Sequence, residues 1–467
     1  MVSTGGEAMA ATPLTNSDIE ELVQKASRKN LIQDIFTECF DDYLAKHTVS
    51  MEKQKVVKSI INCKTGAFGY TLSHCPNCGR NEIHLNSCGN RNCPVCGGLR
   101  KLQWIRDRES EIIEGIYYYH ATFTIPHELN PFFYAAPRPM LSLLYDSAWA
   151  TVRELCLDRK KFIPGVVAVI HTFGSNMSLH PHVHMLISGG GITPDGKKFR
   201  QCKAKYLLPV KVMSALFRGK FLDGIKKLRN DGSIPFANGC ESYRNWFRWK
   251  ELLNFLYRKE FNIDIKRIES GFDAFAPESR QQRNTVAYLG EYTAHTAIST
   301  DRILTYTSPE DVPDAENVED VLDYFSTYLE GTAVTENRVL SCEDGRVTFL
   351  YTDYDDGGKK KQMSLSAEEF IRRFLMHILP KGFPRVRYFG FLAGSVKNKK
   401  LEFIRSFLYG DDTGSDHTPE KKTAAQFIRE YYGRDITKCR HCHHELEVIT
   451  VNRDYRILGN GFDARAA

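Results

Sequence analysis

The sequence has no long apolar run, no recognisable secretion signal and no internal repeat. None of its hydrophobic stretches reaches the ~18 residues that a membrane-spanning helix needs, and the first residues do not show a basic segment followed by an apolar one. We therefore expect a cytoplasmic protein without a membrane partner. A repeat architecture is not expected either.

A strong excess of one charge is also missing. The chain carries 63 basic and 57 acidic residues, which gives a net charge of +6. This balance favours an acidic partner such as nucleic acid only weakly, so local basic clusters are more informative than the total. With 467 residues, of which 42% are hydrophobic, the chain is long enough for two to four domains with buried cores.

Cysteine, in contrast, is well represented. Six of the 13 cysteines form three CxxC motifs and a seventh, Cys88, lies close to one of them, a clustering that in a reducing compartment indicates metal ligands rather than disulfides. Two such knuckles supply the four thiolates of a structural zinc site. The predicted zinc ligands are Cys75, Cys78, Cys93 and Cys96.

Three further cysteines leave the zinc assignment open. Cys88 lies between the two knuckles and is an alternative ligand. A lone knuckle near the end of the chain, Cys439-Arg-His-Cys442, either completes a second zinc site or is a remnant.

The stretch of residues 165–191 is the one around which the chain is organised. Two apolar runs flank a Gly-Ser-Asn turn and predict a β-hairpin. In the second run His180, His182 and His184 occupy alternate positions, so their imidazoles share one face of the strand. A turn centred just after residue 176 places His171 opposite His182, about 5 Å away. Four histidines on one face favour a divalent metal site over a polar sheet face.

Two tyrosines follow the hairpin in a segment with helical apolar spacing. Tyr288 and Tyr292 are four residues apart and therefore share one helix face. Taken alone, this pattern suits an aromatic stripe packed in a core equally well. Tyrosines that can attack a phosphodiester polarised by a nearby metal would make a covalent DNA nuclease.

Basic residues run through and beyond the cysteine cluster, and a second basic group near the end of the chain is mixed with aromatic residues. Such mixtures suit phosphate contacts and base stacking, although a solvated helix face or a sheet edge has the same composition. The candidate DNA-binding residues are Arg91, Arg100, Lys101, Arg106, Arg372, Arg373, Lys381 and Arg385.

The order of predicted elements favours an α+β fold with an antiparallel sheet, because strands and helices mix without a regular βαβ repeat. We predict helices within 17–63 and over 139–157, 209–228 and 243–261, and strands over 116–126, 263–268, 346–354 and 359–365. Between residues 310 and 336 there are nine acidic and no basic residues, which predicts a surface insertion.

Domain boundaries follow from these shifts in composition and pattern. The predicted division is a disordered lead (1–16), a helical and zinc-binding DNA-binding domain (17–110), a nuclease domain with the tyrosine helix (111–304), an acidic insertion (305–338), the C-terminal part of the catalytic region (339–410) and a tail with the last knuckle (411–467).

With these motifs in this order, the chain resembles the rolling-circle insertion-sequence transposases of the two-tyrosine HUH class. The resemblance covers about residues 30–305 and 338–410. It rests on four groups of motifs. The first two are Cys63-Lys-Thr-Gly with the cysteine cluster after it, and His-Thr-Phe-Gly-Ser before His180-Pro-His-Val-His184. The other two are Tyr288-Leu-Gly-Glu-Tyr292 with Ala297-Ile-Ser, and Glu369-Phe-Ile-Arg-Arg-Phe-Leu-Met-His-Ile-Leu-Pro-Lys-Gly-Phe383.

The resemblance implies a transposase that is a single-strand DNA endonuclease and strand transferase, with an antiparallel RRM-like sheet and flanking helices. It implies that His182 and His184 hold Mg²⁺ or Mn²⁺ with a third ligand, for which His171 is preferred and His180 and His295 are alternatives. One tyrosine would form a 5′-phosphotyrosine and leave a free 3′-OH, while the second can accept the other strand. The zinc domain would bind element-end DNA, a homo-oligomer is compatible with this scheme, and the DNA-bound protein would be associated with the nucleoid.

Two features depart from the family pattern: Glu291 stands between the tyrosines where relatives usually carry a basic residue, and the acidic block 305–338 lengthens a connection. Other hypotheses share parts of the evidence. A plasmid replication initiator or relaxase would use the same chemistry, and a non-catalytic zinc-dependent protein would bind DNA without cutting it. A histidine-metal hydrolase would use water rather than tyrosine as its nucleophile.

Overall fold

The computed structural model describes residues 14–27, 30–96, 111–113, 116–202, 207–267, 338–353, 356–410 and 435–452, together with residues 423, 426 and 429. Within this part of the chain the α-helices are α1 (Asn16–Ala26), α2 (Leu31–Lys46), α3 (Met51–Ile61), α4 (Asn130–Ala135), α5 (Pro137–Leu155), α6 (Val210–Asn230), α7 (Trp246–Arg258), α8 (Ala367–Met376) and α9 (Lys397–Tyr409). The strands are β1 (Tyr70–His74), β2 (Asn81–Leu85), β3 (Tyr118–Thr124), β4 (Ile163–Phe173), β5 (Leu179–Ile192), β6 (Phe199–Gln201), β7 (Ile263–Arg267), β8 (Val339–Glu343), β9 (Arg346–Asp353), β10 (Lys359–Ser366), β11 (Val386–Gly390) and β12 (Glu447–Asn452).

This mixture of helices and antiparallel sheets confirms the predicted α+β class. The helices predicted within 17–63 and at 139–157, 209–228 and 243–261 are present, as are the predicted strands. No helix among the described residues is long and apolar enough to cross a membrane. Most of the predicted acidic insertion and of the lead lies outside the described residues.

The chain divides into two compact units. The first contains residues 1–103, 298–375 and 420–467, and the second contains residues 104–297 and 376–419. The end of the chain joins the first unit, a contact that the sequence pattern did not predict. Residues 339–410, predicted as one region, are shared between the two units.

The first unit contains helices and two small sheets. One sheet has the order β12-β1-β2 and the other the order β10-β9-β8. The buried side-chain amide of Gln33 on α2 donates to the carbonyl oxygens of Ile60, at 2.8 Å, and of Cys63, at 2.9 Å. Because one carbonyl lies in the last turn of α3 and the other lies just beyond it, the amide fastens that helix end and the first cysteine to α2.

In the second unit, an antiparallel sheet of order β11-β4-β5-β3-β7, with β6 beside β5, separates two cores. Alternate residues such as Tyr119, Ala121 and Phe123 pack in the larger core with α4 to α7. The opposite face contributes Val167, Val169 and others to a smaller core that includes residues of α9. A strand buried on both faces reads as a nearly continuous apolar run, which explains the composition of β4.

Candidate metal centres

Three histidines meet on one face of the sheet of the second unit. His171 lies on β4 directly opposite His182 on β5, and His184 follows two residues later on the same face. One ring nitrogen of each lies within 4.8 Å of the others. The predicted hairpin register is therefore confirmed, and the three-histidine set is the one that the sequence analysis preferred. Its role as a metal site stays a prediction.

The ring of His182 is oriented by its own strand. Its Nδ1 lies 2.7 Å from the carbonyl oxygen of His180. Since a carbonyl only accepts, Nδ1 carries the proton and Nε2 presents its lone pair. Burial lowers the pKa of His182 to about 4, so the imidazole is in its neutral, metal-binding form at pH 7. His180 itself is exposed and is not part of the three-histidine set.

The ring of His184 is oriented by the neighbouring strand β3. His120 Nε2 lies 2.9 Å and Thr122 Oγ1 lies 3.2 Å from His184 Nδ1. Burial lowers the pKa of His120 to about 4, so this second imidazole is also neutral and can accept a hydrogen bond. Metal-ligating histidines usually donate their other ring N–H to a nearby hydrogen-bond acceptor, which fixes the tautomer and the ring orientation.

His120 and Thr122 were not among the predicted site residues. The His120-x-Thr122 alternation was the available signal, because it places both side chains on one face of a strand. The alternation matters because Thr122 pairs with His184 across the two strands, and this pairing is visible only in the folded sheet.

The ring of His171 is held by a series of ring–ring contacts. It stacks on Phe173 with centroids 5.1 Å apart, and Phe173 meets His377 edge-on at 5.5 Å. His377 Nε2 donates to the carbonyl of Met177 at 3.0 Å, while its Nδ1 accepts from the Thr172 hydroxyl at 3.1 Å. Met177 has a φ of 60°, so this contact fastens a strained turn residue of the hairpin. The motif around His377 therefore braces the histidine hairpin.

The cysteines differ from the predicted arrangement. The structure does not bring the four predicted ligands together, because the two knuckles belong to separate clusters. The first cluster is Cys63, Cys88, Cys93 and Cys96, and the second is Cys75, Cys78, Cys439 and Cys442. Cys88, an alternative in the sequence analysis, is thus a full member of the first. The prediction paired the two CxxC motifs that are neighbours in the sequence. In the folded chain the knuckle of Cys75 and Cys78 instead meets the distant knuckle of Cys439 and Cys442.

Several predicted site residues lie outside the described part of the chain: Tyr288, Tyr292, His295, Arg100, Lys101 and Arg106. Arg91 is described and exposed beside the first cysteine cluster, next to the buried Asn92 and Cys93. Its position is compatible with the predicted DNA contact.

Two of the basic residues near the end of the chain, Arg372 and Arg373, form ion pairs within their own helix. Arg372 Nε and Arg373 Nε lie 2.6 and 2.7 Å from the carboxylate of Glu369, one helical turn earlier. Arg372 above all, with Arg373, lowers the pKa of Glu369 to about 2. Arg385 offers its backbone carbonyl to Ile170 N at 3.1 Å, and Lys381 is exposed. These contacts account for part of the basic cluster structurally, and its DNA-binding role stays a prediction.

Comparison with known proteins gives the class of the molecule. The family described as "Putative transposase" matches residues 165–313 and 310–400, and the family described as "Transposase zinc-binding domain" matches residues 35–125. The first match contains the histidine hairpin, and the second contains the first cysteine cluster. The protein is thus a transposase with a zinc-binding domain near its N-terminus, and its partner is DNA.

Two relatives extend over nearly the whole chain. "Putative transposase y4qJ" of Sinorhizobium fredii (strain NBRC 101917 / NGR234) is 31% identical over 423 residues, covering 90% of this chain and 94% of the relative. "Transposase for insertion sequence element IS801" of Pseudomonas savastanoi pv. phaseolicola is 24% identical over 440 residues, or 93% of each chain. No solved structure matches the chain significantly. The chain belongs to the IS91-type family of insertion-sequence transposases.

Proposed function

We propose that this transposase is a metal-dependent single-strand DNA endonuclease and strand transferase of the two-tyrosine HUH class. The observation that carries the proposal is the cluster of His171, His182 and His184 on one face of an antiparallel sheet. Each ring is held by a separate contact, so the three nitrogens are arranged before any ligand arrives. Preorganisation of this kind is expected at a catalytic metal site.

The donor set suits one divalent cation. Three nitrogen ligands within 4.8 Å of one another can share an ion after small ring rotations and leave positions open for substrate. His182 would bind through Nε2, because Nδ1 donates to the His180 carbonyl. A bound Mg²⁺ or Mn²⁺ would polarise the scissile phosphodiester. Since Mg²⁺ prefers oxygen ligands, we expect Mn²⁺ to occupy an all-imidazole set more readily.

The chain's own nucleophile would be Tyr288 or Tyr292, a role taken from the resemblance. The phenol oxygen forms a bond to phosphorus, and the bond from phosphorus to the 3′ oxygen breaks. The phenol proton ends on that oxygen, giving a 5′-phosphotyrosine and a free 3′-OH. The bond energy is retained in the phosphotyrosine, so a second transesterification can rejoin strands without an outside energy source.

The remaining parts of the chain have proposed roles as well. The five-strand path β11-β4-β5-β3-β7 would be the HUH nuclease sheet, with the histidines on its central strands. The zinc-binding domain would hold element-end DNA, with Arg91 beside the first cysteine cluster as one phosphate contact. Assembly into a homo-oligomer and association with the nucleoid are further parts of this proposal.

The test uses a labelled single-stranded oligonucleotide that carries the element end, incubated with the full chain and Mn²⁺ or Mg²⁺. We expect a protein–DNA adduct that survives denaturant, and we expect His182→Ala to abolish it. Loss of the adduct in Tyr288→Phe, in Tyr292→Phe or only in the double variant identifies the attacking residue. His180→Ala distinguishes the alternative ligand, because it should retain the adduct if His171 is the third ligand.

His127→Ala is the matched control, because this exposed histidine of the same unit lies outside the three-histidine set. Cleavage without an adduct would show that water is the nucleophile and would overturn the tyrosine mechanism. Tight binding with no cleavage by any metal would instead support a non-catalytic DNA-binding protein.

A further inference from the structure

A second four-cysteine cluster extends beyond the region that the zinc-binding family covers. Cys75 Sγ lies 3.3 Å from Cys442 Sγ, and Cys78 Sγ lies 3.6 Å from Cys439 Sγ. These pairs are 367 and 361 residues apart in the sequence. The family match ends at residue 125, so it contains only half of this cluster.

The sulfur spacing fits a metal and not disulfides. A disulfide requires sulfurs about 2.05 Å apart, well below the distances in this cluster. Four thiolates about 2.3 Å from a tetrahedral zinc lie about 3.8 Å from one another, close to the spacing here. All four Sγ atoms lie within 4.8 Å of one another, so one ion can reach them all.

The two halves of the cluster have the same backbone conformation, a turn closed by two corresponding hydrogen bonds. In the first, Cys75 N donates to Arg80 O at 2.8 Å and Gly79 N donates to Cys75 O at 2.9 Å. Gly79, the residue after the second cysteine of this half, is left-handed with a φ of 70°.

The second half repeats this pattern atom for atom. Cys439 N donates to His444 O at 2.8 Å, and His443 N donates to Cys439 O at 2.9 Å. His443 is also left-handed, with a φ of 58°, although a side chain disfavours this conformation. Two turns of the same conformation thus bring their four sulfurs together. A knuckle without a function would not be expected to keep His443 in a strained conformation, so the turns indicate a metal site.

We propose that Cys75, Cys78, Cys439 and Cys442 bind a second structural zinc ion, separate from the ion of the first cluster, and that this ion fastens the end of the chain to the zinc-binding domain. The strand that follows the second turn, β12, pairs with β1. All six of its residues are exposed. Hydrophobic burial therefore contributes little to holding β12, and metal binding supplies the free energy that the strand lacks.

The experiment measures bound zinc per chain in the purified full-length protein by atomic spectrometry. We expect two zinc ions in the unmodified chain and one in Cys439→Ser/Cys442→Ser. Cys75→Ser/Cys78→Ser should also retain one ion, and the four-fold variant should again retain one, because all four residues serve the same site. The matched control is Cys39→Ser/Cys342→Ser, which changes two cysteines outside both clusters and should retain two ions.

A single zinc ion in the unmodified chain would overturn the proposal, as would retention of two ions after loss of Cys439 and Cys442. Zinc loss through general unfolding is identified by a second readout. Limited proteolysis should release only the C-terminal segment in Cys439→Ser/Cys442→Ser and leave the rest of the chain resistant. Fragmentation throughout the chain would contradict a role confined to that segment.

Discussion

At the scale of single residues, the candidate nuclease site depends on groups that do not themselves face a metal. His184 Nδ1 has two neighbours on β3, His120 at 2.9 Å and Thr122 at 3.2 Å. If His184 binds an ion through Nε2, its Nδ1–H needs an acceptor, and either neighbour can serve. Outer contacts of this kind typically change metal affinity by about 10–100-fold when removed.

This redundancy leads to a prediction for His120 and Thr122. We expect His120→Ala and Thr122→Val each to raise the Mn²⁺ concentration for half-maximal adduct formation by less than about tenfold, because one acceptor remains. The double variant should raise it by more than the product of the single effects. The measurement is a Mn²⁺ titration of adduct formation with the labelled element-end oligonucleotide.

His184→Ala provides the comparison for this series, since loss of the ligand should not be rescued by added Mn²⁺. Strictly multiplicative effects of the two β3 substitutions would show that the residues do not share the His184 contact. An unchanged Mn²⁺ requirement in the double variant would show that these two β3 residues do not contribute to metal binding.

At the scale of elements, the histidine hairpin is held by close backbone packing at its far end. Gly189 N donates to Tyr117 O, and Cys202 N donates to Gly189 O, both at 2.6 Å. A Cβ atom on Gly189 would lie 2.6 Å from that Tyr117 oxygen and 2.9 Å from the ring of Tyr119. Glycine is therefore required here by space, which explains part of the triple-glycine run.

We predict that Gly189→Ala lowers the free energy of unfolding of the second unit by about 1–3 kcal/mol, the usual cost of overpacking. Gly219→Ala is the matched control. Gly219 lies in α6, and a Cβ atom there would have nothing within 4 Å. This second substitution should stabilise by up to about 1 kcal/mol, because alanine favours helix over glycine. Calorimetric unfolding of both variants at fixed zinc concentration measures the difference, and equal midpoints would contradict the packing argument.

At the scale of the whole molecule, the two cysteine clusters and the three-histidine set belong to different units. The cysteine clusters lie in the unit of residues 1–103, 298–375 and 420–467, and the three histidines lie in the other. If the zinc-binding domain holds element-end DNA, recognition and cleavage should be separable by substitution.

We expect His182→Ala to bind the labelled element-end oligonucleotide as tightly as the unmodified chain while forming no adduct. Cys93→Ser/Cys96→Ser should weaken binding at least about tenfold, because loss of a structural zinc ion unfolds the surface that presents the contacts. Fluorescence anisotropy at fixed salt measures both affinities. Unchanged binding by the cysteine variant would assign DNA recognition to the second unit.

Predictions from the sequence succeeded where the physical rule is local. A period of two and a turn position were enough to place His171 opposite His182, because a hairpin register depends on a few adjacent residues. Helical spacing likewise located the helix that the structure places at Pro137–Leu155. The contact of His120 with His184 was out of reach, since β3 is separated from β5 by two helices and a strand.

The sequence by itself determined the residue types of the candidate metal sites, the histidine hairpin and the α+β class, because ligand chemistry and backbone periodicity are read along the chain. Only the tertiary structure decided which cysteines act together and which residues orient the histidines. Cys75 meets Cys442 across 367 residues, and no local pattern encodes a contact at that separation. Such contacts result from the packing of β12 on β1, which depends on the folded molecule as a whole.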